Sequence, residues 1–222
     1  MKSILAELNE LVYRLGAYDR MAVLMTLGLD NYIRRTYSRE IPRCRRLLDI
    51  GTGTGRNIPH VKNKAESIIC IDLSYTALRT CLEKYRCDSR IDIVCASAEM
   101  IPIRNSTIDV VLSSYVLRHL DLTRFVKEIR RVTCRGSRVI LVDFWKPRTI
   151  GKQLLLLTHL SIIVTLLSFL TFPSLVVAYV GVWKNIPKLH DPLNIAHILS
   201  YLGRVEMMSI VDIIYIWKIE IV

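Results

Sequence analysis

A glycine-rich turn directly behind a short apolar strand constrains this chain more than any other feature. The stretch LLDIGTGTGRN, Leu47 to Asn57, follows the apolar run RRLLDI (Arg45 to Ile50) with three glycines in five positions. Glycine lets the backbone take left-handed torsions and lets a ligand approach closely. The spacing excludes two phosphate sites. A dinucleotide fingerprint G-x-G-x-x-G needs glycine at position 56, where Arg56 stands. A nucleotide P-loop needs G-K-[ST], which does not follow. What remains is D-x-G-x-G-x-G on Asp49, Gly51, Gly53 and Gly55, with Asp49 able to accept from a cationic or amine-bearing group. Asp72, 23 residues after Asp49, ends the next strand, where an acid can grip both hydroxyls of a ribose.

The rest of the chain alternates strands and helices. SIICID (Ser67 to Asp72), RIDIVCAS (Arg90 to Ser97), IDVVLSS (Ile108 to Ser114) and RVILVDF (Arg138 to Phe144) read as strands. Ser74 is placed to cap a helix carrying Leu78, Cys81, Leu82 and Tyr85. Asp121 caps another whose apolar face is Leu122, Phe125, Val126, Ile129 and Val132. Arg135-Gly136-Ser137 reads as a turn before the fifth strand. The first 40 residues read as a helical cap, with Ile4, Leu5, Leu8, Leu11, Val12 and Leu15 at helical spacing. The tail VEMMSIVDIIYIWKIEIV reads as two closing strands. The alternation predicts one α/β domain over 1–222: a seven-stranded, mostly parallel sheet with helices on both faces.

Charge and apolarity are unevenly spread. Of 31 Lys/Arg and 20 Asp/Glu, 26 and 16 fall in Met1–Ile150, so nearly all of the net +11 lies there. That balance points to an anionic partner or surface. Gln153 to Trp183, by contrast, has no Asp, Glu, Lys or Arg. The six cysteines form no CxxC pair, so no metal site is expected and the thiols are expected to be free in a reducing compartment. Met1 to Glu10 lacks a long apolar core, so no secretory leader is expected there.

The glycine turn, the strand-end acid and the alternation together resemble a class I S-adenosylmethionine (SAM) methyltransferase. Further motifs are similar to the menaquinone/ubiquinone biosynthesis C-methyltransferase family. They are AYDRMAVLMTLGLDNYIRR (Ala17 to Arg35), SSYVLRHL (Ser113 to Leu120) and KEIRRVTCRGSRVILVDFWKP (Lys127 to Pro147). The resemblance covers about Tyr18 to Arg148 and implies a Rossmann-like fold with SAM as cofactor. It implies cofactor contacts from the turn with Thr54, from Asp72 at the ribose, from Ser114 after the fourth strand, and from the pair Ser97-Ala98 at the adenine. The family usually has Asp or Asn where Ser97 stands; serine has a shorter reach, which leaves the Ala98 amide as the main adenine reader.

Carbon methylation of a quinol ring needs an in-line approach, exclusion of water and a base near the phenol. By place and type, His119 and Tyr18 are candidate bases and Arg118 a candidate partner for a phenolate. The implied acceptor is a prenylated quinol precursor. Leu154 to Phe172 is long enough to cross a bilayer core, yet a single crossing would part the closing strands from their sheet. An apolar helical insertion over 153–183 touching the membrane surface fits better, with the basic domain on an anionic cytoplasmic leaflet. A helical lid or a dimer interface stays open for the same segment. An RNA or DNA methyltransferase and a non-catalytic SAM-binding membrane protein also stay open; no nucleic-acid motif is visible, so no nucleic-acid partner is expected.

Overall fold

In the computed structural model, the described residues are 10–16, 18–26, 28–145, 149–151, 154, 158, 166, 192–210 and 212–222. Seven strands form one sheet: β1 (Cys44–Ile50), β2 (Ala65–Asp72), β3 (Ile91–Cys95), β4 (Ile108–Ser114), β5 (Thr133–Phe144), β6 (Gly203–Ile210) and β7 (Ile214–Ile221). Their order is β3-β2-β1-β4-β5-β7-β6. Strands β1 to β5 run parallel, and β7 pairs antiparallel with both β5 and β6. The two closing strands read from the tail are therefore present, inserted in reverse sequence order.

Apolar residues leave alternate faces of each strand, as a pleated strand buried on both sides requires. Leu48, Ile50, Ile71, Val111, Val139, Leu141, Trp217 and Ile219 line one face. There they meet helix α5 (Leu122–Val132) through Phe125, Val126, Ile129 and Val132, and helix α6 (Pro192–Leu199) through Ile195 and Leu199. Leu47, Ile68, Cys70, Val110, Leu112, Ile140, Val142 and Ile216 line the other. They meet α2 (Asp30–Arg39) through Ile33 and Tyr37, α3 (Ile58–Val61) through Ile58 and Val61, and α4 (Tyr75–Tyr85) through Cys81. Helices on both faces follow directly. A short helix α1 (Tyr18–Met25) precedes α2.

The caps form as the sequence predicts. Ser74 Oγ accepts from Ala77 N at 3.1 Å, and Asp121 Oδ1 accepts from Thr123 N and Arg124 N. One local expectation is corrected. Arg135-Gly136-Ser137 does not separate a helix from a strand, because β5 begins at Thr133, immediately after α5. The turn signal is real but marks a bulge. Register jumps from Ile108↔Thr133 to Val110↔Arg138, Gly136 has φ +78°, and Ser137 Oγ donates to Ile108 O at 2.7 Å across the break.

Two expectations fall wholly or partly outside the described residues: the helical reading of Ile4, Leu5 and Leu8, and most of the 153–183 insertion. Within the latter, Leu154, Thr158 and Leu166 have helical backbone and exposed side chains. Among the described residues, no helix is long and apolar enough to cross a membrane.

Candidate functional site

Strand order reverses direction about β1 and β4, which leaves a crevice at their C-terminal ends. The turn Gly51–Gly55, the end of β2 at Asp72 and the end of β4 at Ser114 meet there. Gly51, Gly53 and Gly55 all have positive φ (+68°, +55° and +81°). A side chain at Gly51 would run into Val116 Cγ2 at 2.2 Å, and one at Gly55 into Tyr85 at 2.7 Å and Cys81 Sγ at 2.8 Å. Those two glycines let the turn pack against the β4–α5 loop and α4. At Gly53 the added carbon would meet only the Tyr13 ring, with the hydroxyl at 3.1 Å. Gly53 is thus the glycine that faces the crevice.

Asp72 sits at the lip. Its Oδ2 accepts from Gly53 N and its Oδ1 from Ser74 N, both at 2.8 Å. Burial raises its carboxyl, and the hydrogen bonds from Ser74 and Gly53 N–H oppose that rise. The acid is half-buried, and both its oxygens accept from backbone N–H groups.

Asp49 is placed differently from expectation. It is fully buried, Oδ2 accepting from Thr52 Oγ1 and Oδ1 from Asn57 Nδ2, each at 2.7 Å. On a pleated strand it shares the Leu47 face, toward α2 and α3. It holds the turn from below through Thr52 and Asn57. Burial pushes its carboxyl up, with the Thr52 and Asn57 hydrogen bonds acting against this.

Ser114 also points into this underside. Its hydroxyl contacts Asn57 Nδ2 at 3.1 Å and Arg34 Nη1 at 3.3 Å. Arg34 itself is buried and donates to Asp30 Oδ2 (2.8 Å), Tyr37 Oη (3.1 Å) and Asn57 Oδ1. Its guanidinium lies 5.6 Å from the Tyr115 ring centre. Arg56, which broke the dinucleotide pattern, donates to Asp30 Oδ2 as well. Burial opposes ionisation of Asp30, but Arg34 and Arg56 outweigh it and hold the carboxyl below its usual range. Asp30 Oδ1 and Tyr115 Oη are buried without a hydrogen-bond partner. Tyr115 has φ +65°, a strained torsion for a bulky residue, and stacks on Phe144 at 4.9 Å. These aromatic rings stand where β4 and β5 end.

Sequence reasoning missed Arg34, Asp30, Asn57 and Tyr37. A signal existed: Asp30 and Arg34 are four residues apart on the face that carries Ile33 and Tyr37, so a buried charge comes with its own counter-charge.

The N-terminal segment covers the turn. Tyr13 stacks on Tyr18 with centroids 4.3 Å apart. Burial, then Tyr18 and Asp72, raise the Tyr13 phenol well above its usual value. Glu10 accepts from Ser74 Oγ at 2.7 Å and from Thr76 Oγ1. Thr54, expected as a cofactor contact, donates to Asp19 Oδ1 at 2.6 Å.

Of the pair expected at the adenine, Ala98 is buried in the core and Ser97 Oγ accepts from Glu99 N at 3.1 Å. The serine hydroxyl thus closes its own turn.

The candidate catalytic groups separate into two places. Tyr18 belongs to the cover, whereas Arg118 and His119 form the 3₁₀ turn Leu117–His119 after β4. Arg118 pairs with the fully buried Asp143 at the end of β5, so its charge is already balanced. Burial around the imidazole, and behind it the Arg118 charge, push His119 down to about 3, even though the residue as a whole is exposed. The imidazole is therefore neutral across the physiological range and a weak base. Among the described residues no group of three or more His, Cys, Asp or Glu could hold a metal. A cleft of about 400 Å³ ringed by Arg43, Arg45, Arg135 and Arg138 lies at the opposite end of the sheet, by the starts of β1 and β4.

Residues 48–141 match the family model described as "Methyltransferase domain". A probable S-adenosylmethionine-dependent methyltransferase of Mycobacterium tuberculosis is 33% identical over 124 residues, 53% of this chain and 44% of that protein. A demethylmenaquinone methyltransferase of Roseiflexus is 31% identical over 136 residues, 59% of this chain and 57% of that protein. The chain thus spans about half the length of these curated relatives. A SAM-dependent methyltransferase from Aquifex aeolicus superposes with TM-score 0.60 at 16% identity, covering 85% of this chain and 89% of that one, which establishes a shared fold.

Proposed function

We propose that this chain, whose residues 48–141 form a methyltransferase domain, transfers a methyl group from SAM to a carbon of a lipophilic quinol-type ring. One observation carries the cofactor reading. Asp72 is held by two backbone N–H groups at the rim of a turn whose Gly53 faces the crevice. That is an acid preset for a ribose diol beside a backbone that a ligand can approach. Asp72, the Gly53 backbone and the Ala98 backbone would hold the nucleoside. Bound SAM would supply an electrophilic methyl on a sulfonium.

The protein's own part is alignment and exclusion of water. Tyr13 and Tyr18 cover the turn. Tyr115 and Phe144 stack where β4 and β5 end; the Tyr115 ring is buried beside Arg34, so only the half-buried Phe144 is left to border a flat ring. Carbon attack needs loss of a phenolic proton, and neither His119, held neutral with a low pKa, nor the paired Arg118 is well suited to take it. A quinol in its ionised form, or solvent, would meet that need. The demethylmenaquinone methyltransferase likeness supports the quinol class, and the apolar 153–183 segment fits an acceptor with an isoprenoid tail at the cytoplasmic membrane face.

The test uses the full chain in detergent with methyl-labelled SAM and, separately, a reduced demethylmenaquinone, total lipid and total RNA. Label in the quinol, lost in Asp72→Ala, is expected. Label in RNA alone would overturn the acceptor class, and no SAM binding would overturn the whole reading.

A further inference from the structure

Asn57 contacts four side chains; Ser114, which also donates to Asn57 Oδ1 at 3.3 Å, can serve either way, but the others cannot all be exchanged. Its Nδ2 donates to Asp49 Oδ1 at 2.7 Å and to Ser114 Oγ at 3.1 Å. Its Oδ1 accepts from Tyr37 Oη at 2.6 Å and from Arg34 Nη1. An amide placed between groups that can both give and take would be free to flip. Arg34 fixes it from one side, because guanidinium only donates, and an ionised Asp49 fixes it from the other, because carboxylate only accepts. Asn57 turns its oxygen to α2 and its NH2 to β1. Among the described residues Asp49 has two side-chain donors, Asn57 and Thr52 of the glycine turn. Arg34 is itself fixed by Asp30, one helical turn earlier.

We infer that Arg34 is a positioning residue for the cofactor turn: through Asn57 it sets the hydrogen bonding of Asp49, which holds Thr52 and the turn in the form that receives the nucleoside. The inference rests on the SAM reading above. None of these groups needs to touch the cofactor. Asp49 is shut from solvent, so its charge must be met by donors in fixed places. The second helix of the N-terminal cap thereby becomes part of the cofactor site from beneath.

The chemistry offers a test that packing alone does not mimic. Asn57→Asp puts a second carboxylate against Asp49, and two such groups in one site cannot both ionise easily. The charged or titratable groups around them are Asp30, Arg34 and Tyr37 from α2, His60 from α3, Asp72 and Cys70 from β2, and Cys81 and Tyr85 from α4. Burial and the nearby arginines push His60 down, and against burial Arg34 and Arg56 hold Asp30 below its usual range. Burial keeps Tyr37 pushed up to about 12, Cys70 is raised well above its usual value by its Cys81 hydrogen bond and burial, and Tyr85 is pushed up to about 12 by burial. These three stay neutral below about pH 9, so the carboxylates carry the change.

Calorimetric binding of S-adenosylhomocysteine to the full chain reads it. Asn57→Asp is expected to bind about tenfold or more weakly than wild type near pH 8.5, with the gap closing to about threefold near pH 5.5 as the pair takes up a proton. Arg34→Lys, still donor-only and charged, is expected to keep more affinity than Arg34→Gln, which leaves Asn57 Oδ1 without its charged donor. Equal binding by all variants, or an Asn57→Asp loss that ignores pH, would overturn the positioning role. Wild-type protein that binds no S-adenosylhomocysteine would instead overturn the methyl-donor reading on which it rests.

Discussion

Thr54 Oγ1 donates to Asp19 Oδ1 at 2.6 Å, so the glycine turn is latched to the first helix of the N-terminal cap. Lys84 and Arg56 reach the same carboxylate, at 3.0 and 3.6 Å. Burial opposes the Asp19 charge, but Thr54 and Lys84 outweigh it and hold the carboxyl below its usual range. Because Asp19 is over a third exposed, the latch adds under about 1 kcal/mol to global stability. Its effect falls on ligand exchange. Asp19→Ala should speed release of S-adenosylhomocysteine by roughly three- to tenfold in stopped flow, with an unchanged melting temperature. Unchanged release would show that the cover does not gate the site.

The three turn glycines should differ from a fourth that shares their torsion. Gly136 has φ +78° but open space around it, so Gly136→Ala should cost about 1 to 2 kcal/mol, from torsion alone. Gly51→Ala adds a carbon 2.2 Å from Val116 on top of the same strain. It should unfold at markedly lower denaturant and lose SAM binding. Comparable midpoints for the two variants would sink the packing argument.

Asp143 is wholly buried and its carboxyl is raised by burial, with Arg118 as the chief opposing influence. Arg118→Ala leaves the carboxylate unpaired and should cost about 3 kcal/mol at neutral pH. A raised native pKa means that the folded state holds a proton which the unfolded state has lost. Stability therefore falls as pH rises through that window and recovers as pH drops toward the unfolded value near 3.8. Urea midpoints of Arg118→Ala and wild type should converge on acidification; divergence there would contradict the assignment.

His119 gives the opposite sign. Its native value near 3 lies below its unfolded value of 6.5, so only the unfolded chain binds a proton between them. Stability contributed by this site is intact above 6.5 and is lost as pH falls from there toward 3. His119→Gln should flatten that loss in urea titrations. It should also leave the pH profile of methyl transfer unchanged between about 6 and 9, since a neutral imidazole does not titrate there. Loss of an inflection near neutrality would restore His119 as the base.

Much of the fold was legible because it follows from periodicity and caps. The strand–helix alternation, the caps Ser74 and Asp121 and the two closing strands all reappear in the structure. The bulge at Arg135–Ser137 was misread because a positive-φ glycine marks a turn and a bulge alike. Asp72 was readable from its place at a strand end. Asp49's burial and its bonds to Thr52 and Asn57 were not read, although pleating already put it on the Leu47 face. Arg34 and Asn57 lie inside quoted stretches, but nothing in those patterns marks them. Their importance arises only when α2 packs under the turn, a contact between residues 23 positions apart that local spacing does not encode.

The insertion of β7 between β5 and β6 sets an order of events during synthesis. The edge of β5 from Arg138 to Phe144 has its ladder partner only in residues 214–220. Strand β6, although made earlier, has no place in the sheet until β7 arrives. While the intervening chain is still being made, β5 therefore presents an open, apolar edge of the kind that pairs with the wrong neighbour. The protein cannot protect that edge by itself until residue 221 has emerged, so holding by a chaperone or slow translation should matter most over its last stretch.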